Sequence, residues 1–233
     1  MSTPSTEDPI AILLNAALPH VPFDGWTDST FRAAIADSDL DPSLARTTCP
    51  RGAVDLAIAF HEAGDRAMLE RIKATDMSGL KFREKVAAAI RYRLQAVDDK
   101  EIVRRGATLF ALPYHAAEGA KVIWRTSDKI WEALGDTSDD VNWYTKRATL
   151  SAVYSSTALY WLGDDSIDHQ ATWEFLDRRI ENVMQFEKFK AEVNENPLFK
   201  RALAGPLWAL SRVKAPSKTP YEDLPGRWSR PRT

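Results

Sequence analysis

The chain has 233 residues, long enough for one large domain or two small ones with a substantial core. A formal net charge of −2 excludes a global electrostatic attraction for nucleic acid. Its single cysteine, Cys49, excludes an intramolecular disulfide and fits a reducing compartment.

Apolar residues recur with helical spacing nearly everywhere, and no run of alternating β-branched residues competes with it, so the expected class is all-α. A short apolar helix over 10–18 ends at Pro19. Thr27 can cap a second helix over 28–36, and Asp41-Pro42 can start a third. Pro50 is expected to open a longer helix to residue 72, with Val54, Leu56, Ala57, Phe60, Met68 and Ile72 inward. Ser78 is a candidate cap for a helix to residue 97, striped by Leu80, Val86, Ile90, Leu94 and Val97. A helix over 99–112 stops at Pro113. The next, over 116–134, places Ala120, Ile123, Trp124, Ser127, Ile130, Trp131 and Leu134 on one side. A helix over 138–162 includes the uncharged run 148–163, too short for the roughly 20 residues of a membrane span and expected to be buried all round. The last bundle helix covers about 170–193. Beyond residue 215 the chain is proline-rich and expected to be disordered.

The stretch DTSDDVNWYTKR, residues 136–147, carries the densest signal. With Ser138 as N-cap, Asp140, Trp143, Tyr144 and Arg147 fall at i, i+3, i+4 and i+7 and share one face. Trp, Tyr and Arg are the residue types enriched at interface hot spots. The same spacing also suits two aromatic core anchors beside a local Asp140–Arg147 ion pair, and spacing alone leaves both readings open.

No catalytic constellation is visible. His20, His61, His115 and His169 are scattered, and His61-Glu62 does not begin an HExxH motif. P-loop, GxGxxG and GxSxG motifs are absent. The expectation is a non-enzyme without cofactor or metal. Residues 197–213, PLFKRALAGPLWALSRV, combine the apolar Leu198, Phe199, Leu203, Leu207 and Trp208 with the bases Lys200, Arg201 and Arg212, and no acid occurs from 197 to 220. That pattern suits a helix lying in the plane of an anionic membrane, although packing back onto the bundle would also satisfy it.

Two resemblances follow from these segments. DTSDDVNWYTKRATL, with WRTSDKIW upstream and WEFLDRRIENVMQFEKFK downstream, resembles the Coq-nine family of ubiquinone-biosynthesis accessory proteins over about residues 10–190. The first three short helices, the Phe23-Gly25-Trp26 turn and PRGAVDLAIAF resemble the N-terminal module of TetR-type repressors. Together they imply a TetR-like fold: a degenerate helix-turn-helix segment over 1–50, a lipid-binding and dimerising bundle over 51–193, an amphipathic membrane-binding helix over 194–214, and a tail over 215–233. The segment DSDLDPSLART offers Arg46 as its one base, and residues 1–50 hold two bases against seven acids, a net of −5. Such a surface repels DNA, so no nucleic-acid partner is expected.

The resemblance further implies a protein that docks on the membrane, takes up an isoprenoid quinone precursor or a phospholipid, and presents the precursor to the di-iron demethoxyubiquinone hydroxylase. Asp140, Trp143, Tyr144 and Arg147 match the family's hydroxylase-contacting motif. Truncating Trp143 or Arg147 is expected to abolish that contact and leave the fold intact. Ile123, Trp124, Ile130, Trp131, Tyr154 and Trp161 are the candidate lipid-cavity residues. A homodimer is implied by the fold alone. The N-terminus MSTPSTEDP has neither a basic apolar leader nor an Arg-rich amphipathic character, and with the resemblance this points to a bacterial protein, cytoplasmic and peripheral on the inner membrane. A generic lipid carrier and a TetR-type lipid-responsive regulator are the rival functions.

Overall fold

The computed structural model describes residues 8–195 and Ala215; side chains of 186–195 are outside the described set. Among these residues the chain is built from ten α-helices and no strand. They are α1 (Pro9–Ala17), α2 (Val21–Asp24), α3 (Asp28–Asp37), α4 (Pro42–Thr48), α5 (Ala53–Ala74), α6 (Phe82–Gln95), α7 (Lys100–Ala111), α8 (Ala116–Ala133), α9 (Val141–Leu162) and α10 (Gln170–Glu195). A 3₁₀ turn, Ile167–His169, precedes α10.

Side-chain caps fix several starts. Thr27 accepts from the Thr30 N–H, Asp41 from Ser43 and Leu44, and Asp99 from Glu101, which satisfies donors that no helical carbonyl can reach. Three starts differ from the sequence expectation. α5 begins at Ala53 and not Pro50, because Gly52 turns the chain at φ 59°, a left-handed conformation that no helix contains. α6 begins at Phe82 and not after Ser78. The Glu84 carboxylate closes on the Lys81 N–H at 2.8 Å, and Leu80 is left exposed ahead of the helix. α9 is capped by Asp140, not Ser138.

Two apolar clusters share the long α5. The first joins α1 to α4 and the start of α5 through Leu13, Val21, Trp26, Ala34, Ala45, Cys49 and Leu56. The second joins the rest of α5 to α6, α8, α9 and α10 through Met68, Ile90, Ile130, Leu150, Tyr154, Trp161 and Leu176. α9 buries Arg147, Leu150, Val153, Tyr154, Thr157 and Trp161, a single helical stripe. It is therefore not buried all round: Leu159 is 65% exposed, and Tyr160 is also at the surface. No described helix is long and apolar enough to cross a membrane.

Candidate functional site: a stripe and a cavity on helix α9

The stripe at the start of α9 splits into exposed and buried parts. Asp140 is exposed and accepts from both the backbone and the side-chain amide of Asn142 at 2.9 Å, so its carboxylate serves the helix cap. Trp143 and Tyr144 are half-buried, with ring centroids 4.8 Å apart. Trp124 of α8 closes on both, at 5.8 Å from Trp143 and 6.4 Å from Tyr144. Arg147 is only 1% exposed. It does not pair with Asp140. Its Nε donates to Asp128 at 2.5 Å and one Nη to Asp136 at 3.0 Å, and its guanidinium lies 4.0 Å over the Trp143 ring. The local Asp140–Arg147 pair that spacing allowed is thus replaced by a tertiary one. Its acids come from α8 and the α8–α9 loop, which spacing along α9 cannot reveal.

Asp136 anchors that loop. Burial would raise its pKa, yet hydrogen bonds from Lys146, Ser138 and Arg147 outweigh it and hold the carboxyl at about 2. Ser138 is engaged here, donating to Asp136 at 2.8 Å and accepting from Lys146 at 2.6 Å. Its hydroxyl is unavailable as a helix cap.

The other face of the α9 region closes a cavity of about 450 Å³ between α5, α6, α7, α8 and α9. That volume lies within the usual range of about 300 to 1,000 Å³ for small-molecule sites. Ile123, Tyr154 and Trp161 line it, joined by Phe60, Phe110 and Leu159. The three other candidates are elsewhere. Trp124 packs on the Trp143–Tyr144 pair, because it lies one residue past the inward Ile123 on α8. Ile130 is wholly buried in the second core cluster. Trp131 lines a separate groove of about 550 Å³ between α6, α8, α9 and α10, stacked on Phe82 with centroids 5.4 Å apart.

The sequence reading missed the polar end of the cavity. His61 of α5 and Arg93 of α6 line it beside Tyr154. Asp65, fully buried, accepts from Arg93 Nε at 2.8 Å, from Thr126 Oγ1 at 2.8 Å and from Lys129 Nζ at 3.0 Å. Burial and the Arg93 charge push His61 down to about 3, so the imidazole stays neutral. One sequence signal did exist. Gly64 sits in mid-helix, and a Cβ there would come within 2.5 Å of Arg93 Nη1; the glycine marks the close approach of that guanidinium. Among the described residues no group of three or more His, Cys, Asp or Glu side chains could hold a metal ion. The candidate membrane residues Leu198, Phe199, Lys200, Arg201, Leu203, Leu207, Trp208 and Arg212 lie outside the described residues.

Comparison with known proteins places this geometry in a family. Residues 116–187, from α8 into α10, match the COQ9 family model. The chain is 29% identical over 192 residues to the probable ubiquinone biosynthesis protein coq9 of Dictyostelium discoideum, covering 78% of this chain and 62% of that protein. It is 31% identical over 182 residues to ubiquinone biosynthesis protein COQ9 of Drosophila melanogaster, covering 76% and 56%. The human COQ9 protein is 28% identical over 180 residues, covering 74% and 56%. All three relatives are named as mitochondrial, and the chain spans little more than half of their length. A TetR transcriptional regulator from Nitrosomonas europaea superposes with a TM-score of 0.61 at 19% identity, covering 75% of this chain and 97% of the regulator. That likeness is one of fold. The chain belongs to the COQ9 family, with its COQ9 domain at residues 116–187 set in a TetR-like all-helical fold.

Proposed function

We propose that this protein is a non-catalytic accessory factor of ubiquinone biosynthesis that carries an isoprenoid quinone precursor. The observation that carries this reading is the mainly apolar cavity enclosed by α5 to α9, in a chain whose relatives are named as ubiquinone biosynthesis proteins. A polyprenyl tail partitions strongly into the bilayer, since each buried methylene contributes about 0.8 kcal/mol. A carrier whose apolar cavity takes up the lipid therefore lowers the cost of moving it from the bilayer toward a membrane-surface enzyme.

In this reading the protein works as a peripheral protein on a bacterial inner membrane. The bases and apolar residues of 197–213 make the attachment. Ala215 donates its backbone N–H to the Asp139 carbonyl at 2.9 Å. Trp143 and Tyr144, backed by Trp124, form the contact with the di-iron demethoxyubiquinone hydroxylase. Asp140 shapes the contact by capping α9, and Arg147 supports it from below. Two copies pair through the last two helices, as the fold suggests.

The test is a pull-down of the hydroxylase by the purified protein. Wild type retains the hydroxylase, and Trp143→Ala loses it while melting within about 3 °C of wild type. Retention by Trp143→Ala refutes the assignment of the stripe.

A further inference from the structure

The cavity has walls of one chemistry and a floor of another. Toward solvent its lining is apolar and exposed, with Ala107, Ala111, Ala116, Ala120 and Leu159 around the opening. At the buried end stand His61, Arg93 and Tyr154, with Arg93 3% and Tyr154 5% exposed. Arg93 commits Nε to Asp65 and Nη2 to the His61 carbonyl at 3.0 Å. Asp65 is saturated by Arg93, Thr126 and Lys129. His61 Nε2 is paired with Thr126 Oγ1 at 2.9 Å. Two donors remain without a hydrogen-bond partner among the described residues: Tyr154 Oη and Arg93 Nη1. Neither is among the fully buried unpaired side-chain atoms, so both can be reached from the cavity, where a ligand acceptor can take their hydrogen bonds.

The charges select the kind of acceptor. Arg93 and Lys129 are two cations around the single carboxylate of Asp65, so the floor carries excess positive charge. Burial raises the Tyr154 phenol above its ordinary range, so it stays protonated as a donor. The His61 imidazole, edge-on to the Tyr154 ring at 6.5 Å, adds no cation. Such a floor rejects an ammonium head and offers nothing to a plain hydrocarbon. It suits one electron-rich oxygen on an otherwise apolar molecule.

We propose that the cavity binds an oxygenated-ring lipid head-first, with a ring carbonyl or phenolic oxygen accepting hydrogen bonds from Tyr154 Oη and Arg93 Nη1 and the tail lying toward the Leu159 opening. This rests on the carrier reading above and adds to it an orientation and a recognition site. In this orientation the ring is stored away from solvent and must leave through the opening before any enzyme can act on it.

The full-length protein loaded with the apolar dye N-phenyl-1-naphthylamine tests this, with 2-decyl-1,4-benzoquinone and decylbenzene as displacing ligands. The two share a tail and differ in ring oxygens. Wild type should bind the benzoquinone at least tenfold more tightly than decylbenzene. Tyr154→Phe keeps the ring that packs the core and removes one donor. It should weaken the benzoquinone about tenfold and shift decylbenzene and the dye by less than twofold. Equal wild-type affinity for the two, or a Tyr154→Phe effect that is absent or identical for both, overturns head-first recognition and leaves the carrier reading standing. Failure of wild type to bind dye or either ligand overturns both.

Discussion

Replacing Arg147 by alanine separates a contact residue from a structural one. The side chain is 1% exposed and holds two acids, Asp128 at 2.5 Å and Asp136 at 3.0 Å. Asp128 is partly solvated and can return to water, whereas Asp136 is nearly as buried as Arg147. Breaking a buried pair from one side costs about 3–5 kcal/mol, because a charge is stranded. Here Lys146 stays on Asp136 at 2.7 Å, which places the cost at the lower end, about 3 kcal/mol. The cation–π contact with Trp143 is lost as well. For a domain of this size roughly 2–4 °C accompanies each kcal/mol, so the melting temperature should fall by about 6–12 °C. Circular dichroism at 222 nm measures it. Hydroxylase binding by this variant reports on the fold of the α8–α9 corner as much as on contact, so Trp143→Ala is the cleaner probe of the stripe. An Arg147→Ala protein that melts within 2 °C of wild type refutes the buried-pair argument.

Three further outcomes follow from the same geometry. Asp136 is held at about 2, below its ordinary 3.8, so its contribution, on the order of 2 kcal/mol, is fully present above about pH 4 and is lost as pH falls toward 2. Asp136→Asn should flatten acid unfolding across that window and lower stability at pH 7. Gly64→Ala would ordinarily stabilise a helix interior by up to about 1 kcal/mol. Here its Cβ meets Arg93 Nη1 at 2.5 Å, and that guanidinium is pinned by Asp65 and the His61 carbonyl, so a net loss of about 1–3 kcal/mol should appear in urea unfolding. Burial pushes the Cys49 thiol up to about 11, with Asp55 and Asp8 adding to the effect, so a disulfide reagent such as DTNB should label native protein far more slowly than unfolded protein.

What could be read along the chain was what neighbours in sequence decide. Thr27, Asp41 and Asp99 cap helices because each reaches a backbone N–H two or three residues ahead, so the sequence already contains the interaction. The helix starts that differ have local causes. Ser138 is taken by Asp136 and Lys146, and Pro50 is followed by a glycine in a left-handed turn. The uncharged run in α9 looked fully buried because charge was absent, but Leu159 and Tyr160 sit on the side away from the buried stripe. The grouping of Trp143, Tyr144 and Arg147 along one side of α9 was legible from their spacing. That Arg147 lies beneath it was not, since Asp128 and Asp136 belong to other elements. The cavity floor draws His61, Arg93 and Tyr154 from three helices and leaves no motif, so it emerges only once those helices are packed.

An isoprenoid lipid of the quinone pathway is the proposed cargo of the cavity. The most direct test is native mass spectrometry with lipid extraction on protein purified from a quinone-producing host. A bound isoprenoid quinone or quinone precursor is expected at about one per chain, reduced in Tyr154→Phe. Protein that emerges empty, or with phospholipid alone, would contradict it.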